Sequence, residues 1–173
     1  FEQRPEIDRW IISLINSLVK EVTKQFDDLE PTKAARAIQD FVGDNLSNWY
    51  VRLNRKRFWA GEMTSDKLSA YQTLYQCLET VSLLIAPVAP FFADQLYRDL
   101  TLVTKGNQHS VHLANFPVCD DSVIDTRLEE QMRLAQTTTS MVLSLRRKSN
   151  IKVRQPLQTI MIPVADEVQK QEM

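Results

Sequence analysis

Apolar residues in this chain recur at steps of three and four, and the runs are interrupted by proline far more than by glycine; that spacing constrains the fold more than any other feature. After Pro5, the residues Trp10, Ile11, Leu14, Ile15, Leu18, Val19, Val22 and Phe26 form one stripe and predict a helix over about 7–27. Asp8, near its start, suits the positive end of the helix dipole. Pro31 opens a second helix, since proline is tolerated in a first turn. Ala34, Ala35, Ile38, Phe41, Val42, Leu46, Trp49 and Leu53 carry it on to about Phe58, with Gly61 as its C-cap. That is one rod of roughly 30 residues, or about 42 Å at 1.5 Å per residue. Ser65 or Asp66 caps a third helix with the stripe Leu68, Tyr71, Leu74, Tyr75, Leu78, Val81 and Ile85, which Pro87 must break. A shorter helix from Pro90 carries Phe91, Phe92, Leu96, Tyr97 and Leu100.

Beyond residue 101 the pattern changes. Gly106 and Asn107 mark a loop, and residues 111–116 read as a short extended stretch ended by Pro117. A further helix fits 125–148, with Leu128, Met132, Ala135, Val142 and Leu145 on one face. After Pro156 the residues Ile160, Met161, Ile162 and Val164 have strand chemistry, and a strand over 159–164 is expected. The expected fold is mainly α: a helical bundle over 1–150, then a short extended appendage over 151–173 that begins a following C-terminal module.

Composition narrows the function classes. Three glycines in 173 residues leave no Gly-rich phosphate loop or dinucleotide fingerprint. The two cysteines, Cys77 and Cys119, are isolated and read as free thiols in a cytoplasmic protein. No apolar run reaches the roughly 20 residues of a membrane span. The chain opens on Phe1 without a signal-peptide pattern and reads as a piece of something longer.

The formal charge of −1 hides an uneven layout. The window 49–59 holds Arg52, Arg55, Lys56 and Arg57 with no acid, and the window 145–155 holds Arg146, Arg147, Lys148, Lys152 and Arg154 with no acid. Without these nine cations the rest of the chain stands at −10. Basic windows in an otherwise acidic chain suit a polyanion, although cations at a helix C-terminus also simply complement its dipole. At 100° per residue, Asn48, Arg52, Arg55 and Trp59 share about a 60° arc, while Trp49 and Leu53 align with the buried stripe of Ile38 and Val42. Arg57 lies on another side and Lys56 is intermediate. Guanidinium groups grip phosphate and stack on bases, and an exposed indole can receive an unpaired base.

No catalytic constellation accompanies these windows. His109 and His112 lack a cluster of further ligands, and Glu129-Glu130 and Asp27-Asp28 read as solvated helix ends or faces. Ser140 and Ser144 have no elbow motif or histidine partner. Tyr71, Tyr75, Phe91, Phe92 and Tyr97 read as core.

Asp8-Arg9-Trp10 at the first helix, together with the run from Leu46 through Trp49-Tyr50-Val51-Arg52 to Arg57-Phe58-Trp59, resembles the anticodon-binding domain of class I aminoacyl-tRNA synthetases. Within that group it is most similar to the isoleucyl enzymes. Ala86-Pro87-Val88-Ala89-Pro90-Phe91, Ser110-Val111-His112-Leu113 with Phe116-Pro117, and Lys152-Val153-Arg154-Gln155-Pro156-Leu157 agree. Asn115 departs from the pattern, standing where many relatives have an acid. The His-Ile-Gly-His-like and Lys-Met-Ser-Lys-Ser-like motifs of the adenylate-forming domain are absent from the chain. The resemblance implies the tRNA-holding part of a ligase that joins isoleucine to its tRNA with ATP and Mg, using no cofactor of its own. Its implied partners are the anticodon arm of isoleucine tRNA and the catalytic domain of the same polypeptide. The implied RNA-binding residues are Asn48, Arg52, Arg55, Lys56, Arg57, Trp59, Arg146, Arg147, Lys148, Lys152 and Arg154. A valyl, leucyl or methionyl relative, or a helical protein-interaction module, is the alternative.

Overall fold

A computed structural model describes residues 4–59, 61–102 and 110–162. The chain divides into two compact units, Phe1–Ile124 and Asp125–Met173, so the division falls ahead of the last long helix. Among the described residues all regular structure is helical, with six α-helices: α1 (Glu6–Asp27), α2 (Pro31–Asp40), α3 (Arg55–Trp59), α4 (Ser65–Ile85), α5 (Pro90–Thr101) and α6 (Thr126–Lys148). None of these is long and apolar enough to cross a membrane.

In the first unit α1 is the hub. It packs against α2 and the segment that follows α2, and against α4. Its buried residues Trp10, Ile11, Ile12, Ile15, Leu18, Val19 and Val22 cover a broad arc, as a helix covered from several sides requires. Proline opens both α2 and α5, where its missing N–H costs nothing.

The expected second rod is not one regular helix. Between α2 and α3 the chain winds as a π-helix over Phe41–Val51, and the helical run breaks at Asn54 before α3. A π-helix closes its hydrogen bonds from i to i+5, so each residue turns the chain by less than the 100° of an α-helix. The buried positions record the change: Ala34, Ile38 and Phe41 are followed by Leu46, then by Tyr50, Asn54 and Phe58. The single step of five between Phe41 and Leu46 moves the inward face. Leu53, expected inside, is 56% exposed, and Trp49 is half-buried.

The third helix begins and packs differently from its pattern. Thr64, rather than Ser65 or Asp66, is the N-cap, its hydroxyl accepting from the Lys67 N–H at 3.1 Å. Its buried line is Ala70, Thr73, Cys77, Val81 and Leu84, while Leu68 and Tyr71 are exposed. Small side chains let α4 approach closely, and the larger ones are displaced to its flanks. Burial pushes the Cys77 thiol up to about 12. In α5, Tyr97 is core, but Phe91 is 91% exposed and Phe92 is exposed as well.

Residues 111–113 form a 3-10 turn, not an extended stretch. Asp94 on α5 accepts hydrogen bonds from Ser110 Oγ at 2.7 Å and Val111 N–H at 2.9 Å, which holds the turn against the Ala93–Tyr97 face. The loop marked by Gly106 and Asn107, and His109, lie outside the described residues.

In the second unit Asp125 caps α6 by accepting from the Leu128 N–H at 3.0 Å. The helix ends in a left-handed residue, Asn150 (φ 53°). Ile151 N–H reaches Arg146 O at 2.9 Å and Asn150 N–H reaches Arg147 O at 3.2 Å, the paired closure of a Schellman turn. Of the strand expected over 159–164, residues 159–162 lie in irregular chain, with Ile160, Met161 and Ile162 exposed, and residues 163 and 164 are outside the described residues.

The displaced register carries a direct consequence. Leu46→Ala should cost about 2–5 kcal/mol by emptying a core position, whereas Leu53→Lys should stay within about 0.5 kcal/mol. Urea unfolding of the two variants checks both values.

Candidate nucleic-acid interface

The first basic window is sorted by a buried carboxylate. Asp8, at the start of α1, is fully buried, and Arg57 on α3 reaches it with both terminal nitrogens. Nη1 donates to Asp8 Oδ1 at 2.7 Å and Nη2 to Asp8 Oδ2 at 2.9 Å. The same guanidinium turns its other edge to Asp66 in the first turn of α4, with Nε to Oδ2 at 2.9 Å and Nη2 to Oδ1 at 2.7 Å. Tyr50 Oη and Ser69 Oγ also donate to Asp8, at 2.8 and 2.9 Å, and Asn54 Oδ1 accepts from Arg57 Nη1 at 3.0 Å.

Burial would raise the Asp8 carboxyl, but the hydrogen bonds from Arg57, Tyr50 and Ser69 and the positive charge of Arg57 outweigh it, and its pKa lies below the ordinary value of 3.8. The bonds to Asp8 hold Arg57 firmly protonated. Tyr50 is pushed up first by burial and then by the charge of Asp8, so it stays a donor.

Arg57 therefore corrects its place in the expected docking surface. Its side chain is only 16% exposed and is engaged inside the bundle. Sequence reading placed it on another side of the helix from Arg52 and Arg55 but missed its partners. The spacing Tyr50, Asn54, Arg57 puts the arginine on the face that the π-helix turns inward, a shift that counting regular 100° steps does not contain.

The remaining residues of the window point outward. Asn48, Arg52, Arg55, Lys56 and Trp59 are all exposed. Among the described residues neither Arg52 nor Arg55 pairs with a carboxylate. Arg55 instead lies over the Trp59 ring, 5.9 Å from its centroid, within cation–π range. Trp59 is 74% exposed and does not fold back as a lid on the core. Phe58, between them in sequence, faces inward and meets Tyr50 and Tyr71 edge-on at 6.3 and 5.3 Å. Alternation of inward and outward residues along α3 thus separates the anchor from the display.

In the second unit Arg146 is likewise occupied: its guanidinium donates to Lys152 O at 2.9 Å and to Gln155 O at 3.0 and 2.8 Å, tying the helix end to the turn beyond it. Arg147, Lys148, Lys152 and Arg154 are exposed. The expected alternation of Lys152 and Arg154 along an extended face is replaced by a turn at Val153-Arg154.

A family profile described as the anticodon-binding domain of tRNA ligase matches residues 8–161. The chain belongs to that family. Among curated proteins it is 67% identical over 169 residues to the isoleucine–tRNA ligase of Bacteroides thetaiotaomicron, 62% over 170 residues to that of Porphyromonas gingivalis, and 60% over 163 residues to that of Cytophaga hutchinsonii. These alignments cover 97%, 98% and 94% of this chain. The chain spans only 14–15% of the length of the relatives it matches.

For this anticodon-binding domain the Asp8–Arg57 pair sets two expectations. Arg57→Met should destabilise by about 3–5 kcal/mol, because it strands a buried carboxylate; denaturant unfolding reads this directly. Because the Asp8 pKa is depressed by folding, its contribution is complete above the ordinary 3.8 and is lost as pH falls through the lowered value. Wild type should therefore lose stability more steeply below about pH 4 than Asp8→Asn, in acid titrations followed by circular dichroism.

Proposed function

We propose that this domain binds the anticodon arm of isoleucine tRNA within a longer cytoplasmic isoleucine–tRNA ligase. The observation that carries the reading is the exposed set of Arg52, Arg55, Lys56 and Trp59, without a carboxylate partner among the described residues while the neighbouring Arg57 is held by two. Anticodon loops present unpaired bases, which are bound by stacking and by contacts to their edges, while phosphates set the position of the strand. The Arg55–Trp59 pair offers a flat cationic surface to a base, and Arg52, Lys56 and Asn48 extend it with phosphate and polar contacts. Arg147, Lys148, Lys152 and Arg154 add further exposed cations in the second unit.

The choice of isoleucine over valine, leucine or methionine rests on the relatives, which are isoleucine–tRNA ligases at 60–67% identity. Joining the amino acid to the tRNA, with ATP and Mg, belongs to the remainder of the longer protein and its catalytic domain. Among the described residues no group of three or more His, Cys, Asp or Glu side chains could hold a metal.

The test is the salt dependence of tRNA binding by the full-length ligase. Each phosphate contact to a single strand contributes a slope of about −0.7 in log affinity against log salt. Arg52→Ala with Arg55→Ala should weaken binding, through the lost stacking cation and the lost phosphate contact, and flatten the slope by about 0.7, the increment of the Arg52 contact. An unchanged slope with unchanged affinity rejects the reading. Transcripts with exchanged anticodons separate the isoleucyl assignment from the others.

A further inference from the structure

We infer that Arg57 is a positioning residue for RNA recognition: its guanidinium, forked between Asp8 and Asp66, sets the direction in which α3 presents Arg55 and Trp59. The inference rests on the proposed function and adds to it a residue that makes no RNA contact of its own.

Helix α3 has five residues, far fewer than a helix needs to persist by itself in water. The helical run is interrupted before it only at Asn54, whose N–H bonds Tyr50 O at 3.1 Å and whose carbonyl accepts from Arg57 and Phe58, so a single junction residue joins α3 to the segment before it. One junction residue leaves a hinge, and tertiary contacts fix its angle. Two contacts hold its inner side. Phe58 is wedged between the rings of Tyr50 and Tyr71, and Tyr71 Oη donates to Phe58 O at 3.2 Å. A ring contact of this kind resists withdrawal but tolerates rotation. The second contact removes that freedom. Arg57 spans from Asp8 on α1 to Asp66 on α4, with a further bond from Nη2 to the Asp66 carbonyl at 3.0 Å.

A planar fork between two carboxylates defines an orientation that a point charge cannot. Arg55 and Trp59 stand two residues either side of Arg57 on the same short helix, so any swing of α3 moves both. Lysine at position 57 would still neutralise Asp8, but its ammonium is a point charge and sets no planar orientation between the two carboxylates. Arg57→Lys therefore separates the aim of α3 from the stability of the bundle.

The experiment is a double-mutant cycle in the full-length ligase, with a labelled anticodon-arm hairpin of isoleucine tRNA as probe and low salt to keep weak binding measurable. Arg57→Lys is made in the wild-type background and in Arg55→Ala/Trp59→Ala, and circular dichroism confirms that every variant is folded at the assay temperature. Arg57→Lys should lower affinity about tenfold in the wild-type background and less than about twofold in the double variant, because the groups it aims are then gone. Equal losses in both backgrounds would mean that Arg57 touches RNA or supports the bundle generally, and would overturn the positioning role. No loss in either would overturn it too. Should Arg55→Ala/Trp59→Ala alone bind as wild type, the RNA-binding face itself is wrong and the positioning role falls with it. If Arg57→Lys does not fold, Asp66→Asn removes the outer, solvent-facing arm of the fork and is judged by the same pattern of unequal losses.

Discussion

A charged group cannot sit inside a helical bundle unless something answers it, and in this domain that requirement organises the region around α3. Asp8 is wholly removed from water, and a lone carboxylate there would be intolerable. Arg57, Tyr50 and Ser69 supply the donors that make its ionised form the stable one. They come from α3, the π-helix and α4, so satisfying one carboxylate ties three segments to the head of α1. Dehydrating both partners offsets much of the attraction between them, so a buried pair is weak as a source of net stability. What it supplies is geometry, since the fork accepts few arrangements.

The π-helix is the second constraint. Its wider turn admits one residue more between buried positions, which brings Tyr50 and Asn54 inward and turns Leu53 out. The placement of Tyr50 next to Asp8 depends on that shift, so the irregularity and the buried network are parts of one arrangement. The same change of face leaves Arg52 with water on its side of the chain. One arginine of the window is held in the interior, and its neighbours stay exposed.

Much of this was legible beforehand, and each failure has its own physical cause. The positions of α1, α5 and α6, and the division of the chain by prolines, follow from local spacing and capping. Counting 100° steps put Asn48, Arg52, Arg55 and Trp59 on the outside, and all four are exposed. The same counting assigned Leu53 to the core and Leu68 and Tyr71 to a buried stripe. In the first case a wider helical turn broke the count. In the second, Ala70, Thr73 and Cys77 won the interior because small residues allow closer helix contact than large ones. The segment 111–113 was misread because the Asp94 carboxylate that bends it lies on α5, far back in the chain.

Sequence alone determined that the chain is helical, where proline divides it, and that two acid-free basic windows exist, because each of these is a property of neighbours within a few residues. Only the tertiary structure decided which cation of the first window is spent inside and which stay at the surface. That choice depends on Asp8 and Asp66, which stand 49 and nine residues from Arg57 along the chain. A charge is free or paired according to what folding carries to within hydrogen-bond distance, and local periodicity holds no record of that distance.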